Sequence, residues 1–291
     1  MVFILRLATN LNRLIEICCC LFLVWRNTFK SPCSARAGDV NYYFMPNTQA
    51  VILLCLLAVM IAGWGYLFYQ HWQMTSLPMS AMWMLPTDIA SWQLIDFGLV
   101  YLMWAVMMAA MMLPSAIPMF LVFSKICKQR NPSLPHLNAL FILAYLVVWL
   151  VFSIGLTWLQ WQLHGLHFLS PMMENQNERL AAAIFIGAGI YQFTPWKHGF
   201  LQACRSPLGF LLTEWREGMR GAFYMGLKHG SICVGCCWAQ MLIMFAVGVM
   251  NLLGMVLITL LVALEKIVPG PSRMIGSAGG VLLIGWGIWL I

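Results

Sequence analysis

The sequence has few charged residues: Asp, Glu, Lys and Arg together make up 9% of its 291 positions. A soluble domain carries about 25% charged residues, because these residues solvate its surface. The shortage excludes a soluble globular protein. The 62% share of apolar residues excludes an intrinsically disordered chain, a coiled coil and a collagen-like fibre. We therefore expect an all-α fold, a polytopic bundle of membrane helices in contact with the lipid bilayer.

Several functional motifs are also missing. The sequence contains no P-loop, no dinucleotide-binding fingerprint, no internal repeat and no recognisable soluble domain, so nothing predicts an ATP-driven motor. The 16 Lys and Arg residues lie in gaps between apolar runs rather than in a stripe interleaved with exposed aromatics, so nucleic acid is not an expected partner. The ten cysteines mostly lie in or beside apolar runs, unlike the spaced cysteines of an extracellular disulfide framework.

Seven apolar stretches are long enough, or nearly so, to cross a membrane, which requires about 20 residues. They cover residues 50–69, 97–123, 139–161, 180–195, 222–248, 252–268 and 274–291. The second stretch contains Pro114 and Pro118, which predict a kink or a re-entrant end, and the fourth is short and ends near Pro195. The sequence therefore predicts about seven transmembrane helices.

The gaps between these stretches alternate in basic charge. Lys and Arg occur in the gaps 1–49, 124–138, 196–221 and 265–273. The intervening gaps 70–96, 162–179 and 249–251 contain only Arg179, at an edge. By the positive-inside rule, this alternation predicts a multi-pass protein of the cell inner membrane, with its N-terminus in the cytoplasm and its C-terminus outside. Glu265 and Lys266, close to Pro269, are expected to pair at the membrane interface.

Residues 1–44 fit this pattern less well. Residues 14–25 are apolar apart from Glu16, but they are too few to span a membrane and lack a small-residue cleavage site. Met45 directly precedes the first clear span, so the extension is either an interfacial segment or an artefact of the assigned start site. We assign residues 1–44 to this N-terminal extension and 45–291 to a single transmembrane helical domain.

Four soft-metal ligands share one face of the fifth predicted span. Cys233, Cys236 and Cys237 follow His229 at offsets of 4, 7 and 8 residues, within about two helical turns. Thiolates select Cu(I), zinc or iron–sulfur clusters, and imidazole binds zinc, copper or iron. One helix cannot surround an ion with four ligands at about 2.0–2.3 Å, so other spans must contribute. Gly226, Gly230 and Gly235 on the same span are expected to let neighbouring helices approach closely.

The second predicted span offers thioether ligands. Met107 and Met111 lie one helical turn apart, and Met108 and Met112 form an adjacent row. Such rows are also typical of ordinary core packing. Thioethers bind Cu(I) well and zinc poorly, so the four methionines favour Cu(I) as the bound metal ion, with zinc as the other possibility. In this interpretation the cysteines are thiolate ligands, the methionines are softer relays and His229 is a pH-sensitive ligand.

Five segments of the sequence are similar to those of a known family. They are WAVMMAAMMLPS at 104–115, GIYQFTPWKHGFLQACRSP at 189–207, GLKHGSICVGCCWAQM at 226–241, GVMN at 248–251 and LEK at 264–266. They resemble a bacterial family of predicted metal-binding integral membrane proteins, from about residue 95 to the end of the chain. The family pattern has a second cysteine four positions before Cys204, where this chain has Phe200, so the resemblance supports no metal-binding cysteine pair in that loop. It implies metal binding, but neither a reaction nor a transported ion.

Three functions remain open at this point. The first is a non-enzymatic protein that handles, delivers or transports Cu(I), with a metal-donor or metal-acceptor protein as its partner. The second is a membrane thiol oxidoreductase that uses the Cys233–Cys236 pair. The third is a structural subunit of a membrane complex. The clustered thiols and thioethers favour the first function, for which the sequence predicts metal ligands and no catalytic residue.

Overall fold

The computed structural model describes residues 48–76, 92–130, 136–170, 173–268 and 272–291. The named elements in these ranges are all helices, which confirms the all-α prediction, and an isolated antiparallel bridge joins Leu169 and Asn175. The predicted N-terminal extension lies outside the described residues. In chain order the helices are α1 (Thr48–Ser76), α2 (Leu94–Arg130), α3 (His136–Gly165), α4 (Glu178–Gln192), α5 (Pro195–Arg205), α6 (Pro207–Glu214), α7 (Gly218–Val247), α8 (Leu252–Ile267) and α9 (Ser272–Trp289).

A helix occupies the place of each of the seven predicted spans. Four of them, α1, α2, α3 and α7, are long and apolar enough to cross a membrane. The other three, α4, α8 and α9, have 15, 16 and 18 residues, which is short of the typical length of a membrane span. The described residues therefore contain four helices with the length and composition of a span, and the count of seven stays a prediction.

Helix α2 passes through two prolines without interruption. The predicted re-entrant end does not occur, because the helix continues beyond Pro114 and Pro118 to Arg130. Proline has no N–H group, so Pro114 leaves the Ala110 carbonyl without its usual partner in the helix. The indole Nε1 of Trp64 in α1 donates a hydrogen bond to that carbonyl at 3.2 Å. A neighbouring helix thus satisfies the backbone group that the proline leaves free.

Helix α7 lies at the centre of the bundle, packed mainly along α3 and also against α4, α5 and α8. A Cβ atom at Gly226 would collide with the Phe141 carbonyl oxygen of α3, and one at Gly230 would lie 2.9 Å from the Val148 side chain. These glycines confirm the expected close approach of the helices. Because α3 and α7 are in near contact, the cysteine face of α7 lies in the interior of the bundle rather than at its periphery.

Candidate metal centre

The three predicted cysteine ligands are buried in the middle of α7. Cys233, Cys236 and Cys237 are each at most 2% exposed. Cys236 and Cys237 both donate hydrogen bonds from Sγ to the Cys233 carbonyl, at 3.1 and 2.9 Å. Beyond this shared local contact, Cys233 meets α3 and α8, Cys236 meets α5, and Cys237 meets α2. The Cys204 thiol of α5 also interacts with Cys233.

Cys233 lies beside a buried ammonium group. The Lys266 Nζ atom of α8 is 3.0 Å from the Cys233 sulfur and 3.2 Å from the Ser115 hydroxyl of α2. The Tyr145 hydroxyl of α3 is 3.2 Å from the same sulfur. Burying a lone ammonium is costly, and a thiolate next to it provides the compensating charge. Lys266 is therefore the counter-ion that anionic sulfur in this site requires.

Cys236 faces a cysteine from another helix. The sulfur atoms of Cys204 in α5 and Cys236 lie 3.8 Å apart. Helix α5 begins at Pro195, with the Thr194 side chain accepting a hydrogen bond from the Lys197 backbone N–H. Cys204 lies seven residues after Lys197, on the buried face of this short helix. The position at which α5 begins therefore determines that Cys204 lies on the face of α5 that packs against α7.

Cys237 meets the methionine row of α2. Its sulfur lies 3.7 Å from the Met112 sulfur. The other predicted methionines, Met107, Met108 and Met111, are completely buried in the same core. Of the four predicted thioether ligands, Met112 is thus the one that the structure places against a cysteine, while the other three stay predicted relays.

His229 is buried among aromatic rings one turn before Cys233. Its imidazole stacks on Tyr145 at a centroid distance of 5.7 Å and contacts the rings of Phe141 and Phe210. Its Nδ1 atom has no hydrogen-bond partner among the described residues. Because Tyr145 contacts both His229 and Cys233, the histidine adjoins the thiol cluster. Within the described residues, no hydrogen bond joins its imidazole to a sulfur.

A second buried charge cluster lies next to the thiols. The Lys197 ammonium is 2.7 Å from the Glu265 carboxylate and also donates to the Gln192 side chain, while Gln240 donates to Glu265 at 3.3 Å. The predicted interfacial pair of Glu265 and Lys266 is therefore wrong, because each side chain has a different buried partner. Lys197 and Lys266 were also counted as basic residues of the gaps, but both are buried.

The structure places further side chains next to the predicted thiol ligands, and the ligand set itself stays a prediction. The sequence did not predict Cys204, Tyr145 and Lys266 as neighbours of the α7 thiols. Their proximity depends on how α3, α5 and α8 pack against α7, which no local spacing reveals. Among the described residues, no group of three or more His, Cys, Asp and Glu side chains is already arranged to hold a metal ion. The closest sulfur–sulfur contacts of the described residues are two sulfur pairs, one thiol–thiol and one thiol–thioether, and Cys204 of the first pair also interacts with Cys233.

Comparison with known proteins gives one family. No curated protein and no solved structure matches the chain. Residues 101–290 match the sequence model of the copper chaperone family PpoB2, and this match includes α3 to α8 and every residue of the two sulfur pairs. Because the match covers more than half of the chain, the protein belongs to the copper chaperone family PpoB2.

Proposed function

We propose that this protein is a multi-pass protein of the bacterial inner membrane that binds Cu(I) inside its helical bundle and exchanges it with a metal-donor or metal-acceptor protein. Membership of a copper chaperone family supports the copper-handling part of this proposal. The four long apolar helices support the membrane part. So does the outer surface, where large apolar side chains such as Ile61 and Leu282 are more than 70% exposed.

The single observation that carries the ligand assignment is the 3.8 Å separation of the Cys204 and Cys236 sulfurs. Metal–sulfur bonds are about 2.3 Å long, so two sulfurs at this separation can bind one ion together with little movement. We assign Cys204 and Cys236 as the primary thiolate pair. Cys204 thereby joins the ligands predicted from the sequence.

The Cys237–Met112 pair is the adjacent acceptor site in this proposal. Its sulfurs are 3.7 Å apart, and it combines a thiol with a thioether. Thioether ligation favours Cu(I) over zinc, because zinc binds thioethers poorly. His229, Cys233, Met107, Met108 and Met111 are proposed as further soft ligands along the path of the ion rather than as members of the primary pair.

The positive charge of Lys266 complements this chemistry. Cu(I) bound by two thiolates forms a complex with one net negative charge. In an apolar interior such a charge requires a nearby cation, and Lys266 lies 3.0 Å from the thiol that is one turn before Cys236. A neutral pocket of the same size would bind the anionic complex more weakly.

A Cu(I) competition titration tests the assignment. The protein, purified in mild detergent under reducing conditions, competes with a chromogenic Cu(I) chelator, and X-ray absorption reports the bound donor atoms. We expect sulfur coordination, and a loss of affinity of about a hundredfold in Cys236→Ser and in Cys204→Ser, because each removes half of the thiolate pair. The control is Cys127→Ser, which changes a buried cysteine of α2 outside the cluster.

Thiol trapping in cells, combined with the same titration, distinguishes Cu(I) binding from the competing redox function. A thiol oxidoreductase based on Cys233 and Cys236 requires these thiols to cycle through a disulfide. Thiol trapping in cells then finds a mixture of reduced and oxidised cysteines, whereas a Cu(I) site keeps them reduced. Unchanged Cu(I) affinity in the two variants, together with a trapped Cys233–Cys236 disulfide, would overturn the metal-binding proposal in favour of the redox function.

A further inference from the structure

A cleft lined by soft-metal donors lies at the C-terminal end of α7. It has a volume of about 480 Å³ and is lined by the C-terminal part of α1, the turn between α7 and α8, and Glu174. His71 and Met74 of α1 and Met250 of the turn are among its lining residues. None of the lining residues is Lys or Arg, so no fixed positive charge in the lining repels a cation.

The donors in the cleft are those that Cu(I) prefers. An imidazole and two thioethers suit Cu(I), whereas zinc and hard cations bind thioethers poorly. His71 and Met74 are three residues apart and therefore share one face of α1. Within the described residues, no hydrogen bond or ion pair engages the side chains of His71 and Glu174. Glu174 is exposed, so its carboxylate contributes negative charge at the mouth of the cleft.

The backbone around the cleft is held in unusual conformations. Gly248 has φ +107°, a value that side-chain-bearing residues rarely adopt, and this turn places Met250 in the lining. Met173, next to Glu174, has φ +63°. The Val249 N–H donates to the Met173 carbonyl at 3.1 Å and so joins the two strained segments. Such strain persists where the surrounding structure fixes it, and it is frequent at binding sites.

One face of α7 connects this cleft with the thiols. Met241, Met244 and Gly248 follow Cys237 by four, seven and eleven residues, so all four residues share a helical face. The distance from Cys237 to Gly248 along the helix is roughly 16 Å at 1.5 Å per residue. Met241 and Met244 are completely buried. Thioethers therefore occupy the interval between the cleft and the cysteines.

Helix α2 supplies methionines at matching heights. Two contacts fix its antiparallel alignment with α7: the Met112 sulfur lies 3.7 Å from Cys237, and the Trp104 ring lies 5.0 Å from the Phe245 ring. Moving eight residues back along α2 corresponds to moving eight residues forward along α7. Midway between the two contacts are Met108 and Met241, both completely buried. Methionines of both helices thus lie at one level of the interior.

We propose that the cleft is a second Cu(I) site, formed by His71, Met74 and Met250, and that it exchanges the ion with the thiol site through the buried thioethers of α2 and α7. The inference rests on the proposed function, because it gives the thiol site a port, by which we mean a surface site where the ion enters or leaves the bundle. Cu(I) changes neither oxidation state nor charge during this transfer. The ion passes from an imidazole–thioether site to the Cys237–Met112 pair, and on to the thiolate pair of Cys204 and Cys236.

A methyl-resolved titration tests this port. The full-length protein in detergent carries ¹³C-methyl-methionine and receives Ag(I), a redox-stable probe with the ligand preference of Cu(I). We expect the first equivalent to shift the Met112 methyl and the second to shift the Met74 and Met250 methyls. The Met74→Leu and His71→Ala variants should bind the second equivalent about tenfold or more weakly, with the first unchanged. The control is Met219→Leu, which alters an exposed methionine of α7 far from the cleft.

The outcomes for the two sites are separable. Met74 and Met250 methyls that stay unshifted at two equivalents, or second-equivalent binding that is equal in all three variants, would overturn the port while leaving the thiol site intact. If these methyls shift and the Met112 methyl does not, the cleft is a metal site but the transfer path through the Cys237–Met112 pair fails, and the Cu(I) titration of Cys204→Ser and Cys236→Ser decides the thiolate pair separately. Because His71 and Met74 are at the surface end of α1, their variants are expected to fold, and their unfolding temperatures verify this.

Discussion

At the scale of single residues, the site depends on charges that have no water around them. Lys197 and Lys266 are both buried, and each touches one anionic or potentially anionic partner: the Glu265 carboxylate or the Cys233 sulfur. A buried ion is tolerated only when it is paired and hydrogen-bonded. The two lysines therefore have separate tasks, one in holding α5 to α8 and the other in balancing the thiols.

The role of Lys266 as counter-ion predicts that a neutral residue at this position weakens Cu(I) binding. In Lys266→Met the anionic Cu(I)–thiolate complex loses its adjacent cation, so Cu(I) affinity should fall about tenfold or more in the competition titration. The matched control is Lys228→Met on α7, because the Lys228 ammonium pairs with Glu214 at 2.6 Å instead. Equal affinities of Lys266→Met and the native protein would contradict the role of Lys266 as counter-ion.

The task assigned to Lys197 predicts a stability effect. Lys197→Met leaves the Glu265 carboxylate buried without a cation, which should lower the free energy of unfolding by roughly 3–5 kcal/mol. Adding Glu265→Gln removes the uncompensated charge, so the double variant should recover part of that loss. Thermal unfolding in detergent measures both. A double variant that unfolds at a lower temperature than Lys197→Met would show that the pair is not what stabilises this contact.

At the scale of helices, contacts between segments distant in the sequence supply partners that a single helix lacks, both for its thiols and for its free carbonyl groups. The α7 motif with Cys233, Cys236 and Cys237 could be predicted from the sequence, because its ligands follow one another at helical spacing. Cys204 could not be recognised as a partner, since α5 is a separate short helix whose orientation depends on Thr194 and Pro195. The sequence likewise predicted that the prolines would disturb α2, but not that Trp64 of α1 would satisfy the free carbonyl.

The Trp64 contact predicts a non-additive pair of substitutions. Trp64→Phe removes the donor to the Ala110 carbonyl, at a cost of about 1–3 kcal/mol for leaving a buried acceptor unpaired. In a Pro114→Ala background, the new backbone N–H of residue 114 can bond to the same carbonyl, so Trp64→Phe should cost less. Unfolding free energies of the four proteins in this cycle give the interaction.

Exposed Trp72 of the same helix provides the control for that cycle. Trp72→Phe removes a comparable indole that makes no side-chain hydrogen bond to the described residues, so its cost should be small and the same with or without Pro114. If Trp64→Phe is equally costly in both backgrounds, the indole stabilises α2 by packing alone.

At the scale of the whole molecule, the topology is predicted from the alternation of basic residues along the chain. The packing of the helices removes some of these residues from the membrane surface. Two of the basic residues that supported the alternation, Lys197 and Lys266, are buried in the bundle rather than placed at a membrane surface. The exposed pair formed by Arg130 and Glu217 lies at the junction of the α2 end and the α7 start, as a cytoplasmic surface would require. The seven predicted crossings therefore rest on fewer charges than the sequence suggested.

Reporter fusions test this topology. Alkaline phosphatase fused after Ile291 should be active, and green fluorescent protein at the same site should be dark, because seven crossings from a cytoplasmic N-terminus place that end outside. Fusions after Arg130 are the matched control and should give the reverse result. A fluorescent fusion at Ile291 would contradict an odd number of crossings.

The central claim is that this bundle binds copper through thiols contributed by different helices. Elemental mass spectrometry of the protein, purified under reducing conditions from copper-replete cells, measures it most directly. The claim predicts about one copper per chain in the native protein and in Cys127→Ser, and its loss in both Cys204→Ser and Cys236→Ser. Zinc in place of copper, no metal after Cu(I) is supplied, or copper retained in both cluster variants would contradict the claim.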